Sequence, residues 1–203
     1  MIWRCRLSTA SAKKRSIMSN IKERLDRLRI LVQDQDFLEG NGLSNEVNIR
    51  IFCYDSTEEM TVRHFIEQIT TDQTLNCHLI ECNLYETFLS ICSDIDILDT
   101  IPEMEESDGS SFLLGQLHSA VGENEFIEKI QELGSCKAGD VLLLTGVGDV
   151  FPFMRVHKML EALQPYYSNV PILVMYPGTF DGSSLRLFDK LTPNPYYRAF
   201  NEA

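Results

Sequence analysis

Two segments in the last third of the chain each join an apolar run to a glycine-containing loop. The first reads TGVGDVFP from Thr145 to Pro152, and the second reads YPGTFDGSS from Tyr176 to Ser184. In open parallel sheets ligands bind beyond the carboxyl ends of the strands, and glycine turns there let backbone amides approach a phosphate closely. Phosphate or small-ligand binding is therefore the first chemistry to test against these residues.

The residues that phosphate chemistry needs are missing from both segments. A Walker A loop reads G-x-x-x-x-G-K-[ST], because its amides cradle the phosphates, its lysine neutralises them and its hydroxyl ligates magnesium. No stretch of the sequence fits this pattern. Gly146 and Gly148 begin like a dinucleotide fingerprint, but Phe151 occupies the place of the third glycine. The glycines could equally serve only to turn the chain from strand to helix.

We predict no catalytic, cofactor-binding or metal-binding residues. The four histidines are scattered singly, and the sequence has no HExxH motif and no GxSxG nucleophile elbow. One alternative stays open, since Arg155 and His157 follow the first loop and could line a cleft with Asp181 of the second, an arrangement suited to acid–base chemistry. A solvated helix face is the other interpretation of the same residues.

Four apolar segments have the length and composition of β-strands, and helical patterns separate them. Strands that alternate with helices imply parallel β-α-β crossovers. We therefore predict an α/β fold, a three-layer domain with a mainly parallel central sheet that is NTPase-like but lacks Walker A. The predicted strands are Val47 to Tyr54, Cys77 to Asn83, Asp140 to Gly146 and Val170 to Gly178.

Four further expectations concern local structure. The acidic segment from Pro102 to Ser110 is predicted to be an exposed loop. A helix is expected to begin near Pro152, because proline is favoured in the first turn. A short helix is predicted around Leu185 to Phe188, and the tail from Tyr196 to Phe200 can be at most an edge strand.

The 203 residues carry a formal charge of −12, which is unevenly distributed. Five basic residues precede Met18, and the rest of the chain has 13 basic residues against 30 acidic ones. An acidic surface repels phosphate backbones, so no direct DNA binding is expected, and basic or protein partners are favoured. The five basic residues are Arg4, Arg6, Lys13, Lys14 and Arg15.

The composition predicts one folded domain behind a short extension. Residues 1–17 are basic and free of acids, and we expect them to be disordered or an upstream-start extension, although they superficially resemble a transit peptide. Residues 18–203 are predicted to form a single α/β domain. No apolar run approaches the ~20 residues that span a bilayer, and six cysteines without a CxxC pair fit a reducing cytoplasm. A soluble, cytoplasmic protein without a membrane partner is expected.

The C-terminal segment is rich in aromatic residues and contains an arginine among them. Aromatic side chains and arginine are enriched in protein interfaces, but core packing explains many aromatics equally well. These residues are therefore candidates for either an interface or the core: Tyr176, Phe180, Tyr196, Tyr197, Arg198 and Phe200.

Four motifs together resemble the BrxB family of bacterial BREX phage-resistance systems. They are GNGLSNEV (Gly40 to Val47), LLTGVGDVFPFMRVHKML (Leu143 to Leu160), YPGTFDGSSLRLF (Tyr176 to Phe188) and YYRAF (Tyr196 to Phe200). The resemblance covers nearly everything after Met18, and between about Leu75 and Cys136 it is mainly one of pattern. The family has no established catalytic residues. Its motif positions fall here, without assigned roles, on Gly146, Gly148, Phe151, Pro152, Arg155, His157, Tyr176, Pro177, Gly178, Asp181, Gly182 and the stretch Tyr196, Tyr197, Arg198, Ala199 and Phe200.

The resemblance implies a cytoplasmic bacterial defence protein that acts with other BREX components. These are the PglX methyltransferase, the alkaline-phosphatase-like PglZ and the BrxC ATPase. The leading hypothesis is a non-enzymatic adaptor or assembly subunit that docks PglZ, with BrxC and PglX as alternatives. The competing hypothesis is a nucleotide or small-ligand sensor, or an enzyme, that uses a cleft between the loops at 146–151 and 177–183.

Overall fold

The structure, a computed structural model, describes residues 21–39, 48–133, 137, 139–196 and 199–201. The predicted extension at 1–17, the motif segment at 40–47 and the candidate residues Tyr197 and Arg198 lie outside this part of the chain.

Segments with helical apolar periodicity form the helices of the described chain. In α3, for example, Val62, Ile66 and Ile69 recur at helical spacing and form the buried face of the helix. Short 3₁₀ turns at Ser56–Glu58 and Leu98–Thr100 lead into α3 and α5. The helices are α1 (Ile21–Leu31), α2 (Gln35–Glu39), α3 (Glu59–Thr70), α4 (Leu84–Asp94), α5 (Ile101–Asp108), α6 (Ser110–Ala120), α7 (Glu123–Glu132), α8 (Val147–Val150) and α9 (Val156–Leu163).

The strands of the described residues form one mixed, seven-stranded sheet. Its main path runs β2-β3-β4-β1-β7, and the pairings along this path are parallel. β5 pairs with β4 and β6 with β5, both antiparallel. The strands are β1 (Ile49–Tyr54), β2 (His78–Asn83), β3 (Asp140–Thr145), β4 (Ile172–Phe180), β5 (Ser184–Leu187), β6 (Asn194–Pro195) and β7 (Phe200–Asn201).

Helices cover both faces of the sheet. Successive side chains of a strand point to opposite faces, and in β1 Ile51 belongs to one buried apolar cluster while Phe52 belongs to the other. The Phe52 cluster is closed by α1, α2 and α3, and the Ile51 cluster by the helices from α4 to α9. The predicted α/β class is therefore confirmed, with the sheet buried on both sides.

Two of the local expectations are wrong. The segment predicted as an exposed loop is largely helix α5, because Pro102 in the first turn and Glu103 behind it favour a helix N-terminus, and Gly109 ends the helix. The segment predicted as a short helix at Leu185 to Phe188 instead contains β5, since buried Leu185 and Leu187 alternate with exposed Arg186.

The helix expected near Pro152 is also displaced. The chain turns at once into α8, where Val147 and Val150 are buried, and Pro152 follows in a turn after a cis peptide bond to Phe151. The longer helix begins only at Val156, after Arg155 in extended conformation. The tail forms the two-residue strand β7 on the outer edge of β1, which agrees with the edge-strand expectation.

Candidate functional site

The carboxyl ends of the parallel strands bring the two glycine loops to the same edge of the sheet. β1 and β4 pair in parallel with Tyr54 opposite Pro177, and β2 and β3 pair with Asn83 opposite Thr145. The first loop follows Thr145 directly. This edge is where an open α/β sheet places ligands.

Gly146 begins the first loop in the left-handed conformation, with φ +67°. A β-carbon here would lie 2.3 Å from Asn83 Oδ1. That oxygen caps α4 by accepting hydrogen bonds from the backbone amides of Tyr85 (3.0 Å) and Glu86 (3.3 Å). Gly146 is therefore required by backbone conformation and by its contact with a helix cap.

Gly148 is where the two predicted loops meet. A β-carbon on this residue would lie 3.0 Å from the Phe188 ring and 3.1 Å from the Pro177 ring. The loops thus pack directly against each other here, and the glycine allows the close approach. The contacting rings are apolar, and they come from Pro177 of the second loop and from Phe188, the residue that follows β5.

The second loop is the tip of the hairpin formed by β4 and β5. The Asp181 carboxylate accepts hydrogen bonds from the Ser183 amide (2.9 Å), the Ser183 hydroxyl (2.8 Å) and the Ser184 amide (2.8 Å), and these bonds lower the pKa of Asp181. Gly182 supplies the positive φ of +91°. Asp181 therefore stabilises its own turn, and it does not line the cleft that the sequence suggested it would share with His157.

At Gly178, in β4, a β-carbon would lie 2.2 Å from the carbonyl oxygen of Arg186. The hairpin strands approach each other there more closely than a side chain allows. This glycine is explained by strand pairing.

A small cleft does lie beside the loops, on the side of α9. Its volume is about 130 Å³, below the roughly 300–1,000 Å³ of ordinary small-molecule pockets. Arg155 Nη1 donates a hydrogen bond to Asn194 Oδ1 across it at 3.2 Å. The lining residues are Val147, Phe151, Met154, Arg155, Val156, His157, Tyr176, Leu185, Leu187, Leu191, Thr192 and Asn194.

The remaining candidates are mostly structural. Tyr176 and Tyr196 are both 2% exposed, so they belong to the core. Burial raises the pKa of Tyr176, and desolvation lowers the pKa of His157. The Pro152 carbonyl lies 2.9 Å from Nε2 of His118 on α6, which ties the end of the first loop to that helix.

A second pocket at the same edge was missed by the sequence analysis. It has a volume of about 360 Å³ and lies across the ends of β1 to β4. The Tyr54 hydroxyl donates to Glu59 at 2.8 Å, and the Thr145 hydroxyl donates to Glu81 at 2.8 Å. The signal for it was Tyr54, Asn83 and Thr145, the last residues of three strands.

The strand-end pocket is lined mainly by acidic side chains among its charged residues. Arg63 is the cation among its described lining residues, and its guanidinium donates to Glu59 at 2.8 Å and forms an ion pair with Asp149. Carboxylates therefore neutralise the one guanidinium at the position where a phosphate would need it. The lining carboxylates are Glu59, Glu67, Glu81 and Glu86.

The described residues hold neither a metal-binding cluster nor a membrane-spanning helix. Within that part of the chain, no three His, Cys, Asp or Glu side chains are grouped so that they could hold a metal ion. No helix in it is long and apolar enough to cross a membrane.

Fold and site together define an α/β protein whose parallel strands end at an acidic pocket and at two glycine-containing segments that contact each other at Gly148. Residues 80–201 match the family model described as BREX protein BrxB. The protein named BREX protein BrxB from Bacillus cereus (strain H3081.97) is 37% identical over 191 residues, covering 90% of this chain and 97% of the relative. The chain belongs to the BrxB family.

A second relative has the same name. BREX protein BrxB from Escherichia coli O9:H4 (strain HS) is 26% identical over 181 residues, which cover 89% of this chain and 90% of that protein. No solved structure matches the chain significantly.

Proposed function

We propose that the protein is a non-enzymatic adaptor or assembly subunit of a BREX antiphage defence complex in the bacterial cytoplasm. Its sheet would then serve as an NTPase-like scaffold without a nucleotide site, and PglZ would be the component that it docks. BrxC and PglX are the next candidates. Membership of the BrxB family supports a role in BREX defence.

The charge of the strand-end pocket carries the non-enzymatic part of the proposal. Nucleotide phosphates at such an edge need free backbone amides together with a lysine or arginine. Here the pocket is lined by four carboxylates, and Arg63 is paired with Glu59 and Asp149. This environment repels a triphosphate and, by the same charge, direct DNA contact.

Co-purification tests the adaptor proposal. The tagged protein is expressed with each BREX component in turn, and a complex with PglZ that survives gel filtration is expected. The matched control is the same tag on an unrelated acidic protein, because an acidic surface alone attracts basic proteins. A protein that elutes alone in every pairing contradicts the proposal.

Ligand sensing is the second candidate function, and the cleft beside the loops supports it. Arg155 and His157 lie in its lining, and they could contact an anionic group. Since the cleft holds only about 130 Å³, a small anion fits it better than a whole nucleotide. A thermal-shift series with inorganic phosphate, nucleotides and metal ions tests this function. A shift of several degrees that His157→Ala abolishes would favour the sensor, and Asp181→Ala is the control because Asp181 lies outside the cleft lining.

A further inference from the structure

An apolar groove lies on the face of the sheet covered by α4 to α9, and it touches the first glycine segment only at that segment's last residue, Pro152. Its walls are α4, the segment from Leu98 through α5, and α6, and its end is closed by Pro152 and Phe153. Its volume is about 440 Å³, within the size range of pockets that bind ligands. The lining residues are Tyr85, Phe88, Leu89, Leu98, Ile101, Pro102, Glu105, Ser110, Leu113, Leu114, Leu117, Pro152 and Phe153.

The floor of the groove is firmly built. The rings of Phe88 and Phe153 stack with centroids 4.4 Å apart and planes 10° apart, and Leu113 and Leu117 are buried beneath. Above them Leu89 and Leu114 are only partly buried. The groove therefore has a buried apolar floor and a mouth where Leu89 and Leu114 keep part of their apolar surface in contact with solvent.

One wall of the groove is lightly anchored. Helix α5 has no fully buried residue, and its contact with the core is through the partly buried Ile101 and Met104. A helix held by so little apolar area can shift at small cost to the fold. The groove can therefore widen to admit a guest.

The charge around the groove indicates the guest's chemistry. Residues 64–128 contain 14 acidic residues and no lysine or arginine, and this stretch supplies every helix of the walls. Glu105 lines the groove itself. On α4, Glu86 faces the strand-end pocket and Asp94 pairs with Lys129, so the negative charge beside the groove comes from α5 and the turn before it. The carboxylates of that segment are Asp99, Glu103, Glu105, Glu106 and Asp108.

We propose that this groove docks a basic amphipathic helix of a partner protein. The apolar face of the guest would lie on Leu89, Leu114 and Phe153, and its lysine and arginine residues would face the carboxylates of α5. Helix-in-groove recognition uses apolar anchors one helical turn apart, and charge around the groove steers the encounter. The assignment rests on the adaptor function proposed above, since it supplies the surface that such a subunit would use.

Charge separates this guest from the other occupants. A second copy of the chain would bring another acidic surface against the groove, and like charges oppose that contact. Nucleic acid is repelled for the same reason. A basic helix alone satisfies both the apolar floor and the acidic walls.

The test uses the full-length chain and a fluorescein-labelled 18-residue peptide of leucine and lysine, with the leucines on one helical face. The control peptide has the same composition in an order that gives no apolar face. We expect the amphipathic peptide to bind at least tenfold more tightly than the control, with affinity falling as salt rises. Equal affinity for the two peptides overturns the proposal, because charge alone would explain the binding.

Matched variants locate the binding. Leu114→Lys places a charge in the groove, whereas Met60→Lys places the same charge on α3, on the opposite face, where Met60 is 75% exposed. Leu114→Lys should lower the affinity for the amphipathic peptide at least tenfold, and Met60→Lys should lower it less than threefold. Equal effects overturn the proposal. Leu89→Gln, with folding checked by circular dichroism, repeats the test without a change of charge.

Three outcomes separate this inference from the adaptor function. If wild type and Leu114→Lys both co-purify with PglZ equally well, the groove assignment fails and the adaptor function stands. If the protein is a dimer and Leu114→Lys dissociates it, the groove binds a second copy of the chain. That result would overturn the proposal of a partner helix. If the protein without residues 1–17 binds the peptide tenfold more tightly than the full chain, the chain's own basic segment occupies the groove. That result would overturn the proposal of a partner helix.

Discussion

Arg63 of α3 forms an ion pair with Asp149 of α8, although the strands that precede these helices are not neighbours. β4 lies between β1 and β3, so the pair spans the carboxyl end of that strand. Arg63 also donates to Glu59 at 2.8 Å. The segment after β1 is thereby linked to the first glycine loop by charge.

Arg63→Gln should lower the free energy of unfolding only slightly. Both side chains of the pair are about 40% exposed (44% and 40%), and exposed ion pairs contribute about 0–1 kcal/mol. Urea unfolding of Arg63→Gln, Asp149→Asn and the double variant should give a coupling energy of less than about 1 kcal/mol, which decreases at high salt. A coupling energy that molar salt does not reduce would contradict this account.

Gly146→Ala and Gly115→Ala should change stability in opposite directions. At Gly146 an alanine meets a positive φ, at a cost of roughly 1–2 kcal/mol. It also displaces the Asn83 cap, at about 1 kcal/mol. Gly115 lies within α6 with nothing within 4 Å of the added carbon, so alanine there should stabilise by about 0.5–1 kcal/mol through helix propensity.

Urea unfolding of both variants tests the pair. The comparison is internally matched because each variant adds one methyl group to a glycine. A stable Gly146→Ala protein would show that the loop can move away from Asn83.

The sequence was most informative about the four long strands. Strand β3 and the first half of its partner β4 are continuous apolar runs because both sides of the sheet are covered, and such runs are recognisable without tertiary contacts. Strand β2 mixes exposed with buried residues instead. The shorter strands were harder to predict. β5 has four residues, and the pairing of Gly178 with Leu187 gives it a strand conformation that its own length does not specify.

The strand-end pocket and the apolar groove could not be predicted from local sequence patterns. Thr145 and Glu81 are 64 positions apart, and they meet only because β2 and β3 pair with Asn83 opposite Thr145. The groove depends on helix α5, whose acidic sequence has the composition of a loop. The turn at Asp181 and Gly182 was predicted from sequence, but residues 147–150 form helix α8 and residues 177–180 belong to β4. Phe188 against Gly148 is a contact that no local pattern indicates.

The stability of the protein should fall below about pH 6.5 in a way that depends on His157. Burial lowers the pKa of His157 in the folded chain, so between that value and the unfolded pKa of about 6.5 the unfolded state binds more protons. The contribution is fully present above pH 6.5 and is lost as the pH falls through the folded pKa.

Melting temperatures from pH 7.5 down to 5.5 check this prediction. His157→Gln should show a smaller decrease over that range than wild type. His64→Gln is the matched control, because the His64 side chain is 69% exposed on α3, and it should follow wild type. Parallel curves for all three proteins would contradict the role of His157.

Cys53 and Cys82 should resist alkylation in the folded protein. Burial raises the pKa of Cys53 to about 12 and that of Cys82 to about 11, whereas the thiolate is the reactive form. Iodoacetamide at pH 8, followed by mass spectrometry of peptides, should label both residues only after urea is added. Cys77, which is partly exposed, should be labelled sooner in the native state. Rapid native labelling of Cys53 would show that its strand opens.

The position of strand β1 in the sheet also determines when the sheet can form during synthesis. The strand is translated well before its neighbours in the described sheet, which are β4, at Ile172–Phe180, and β7, at Phe200–Asn201. More than a hundred residues must be translated before either edge of β1 is paired. Contacts of such long sequence separation form slowly and leave a strand open to wrong partners. Until translation reaches β4, the apolar residues of β1 are therefore exposed to wrong partners.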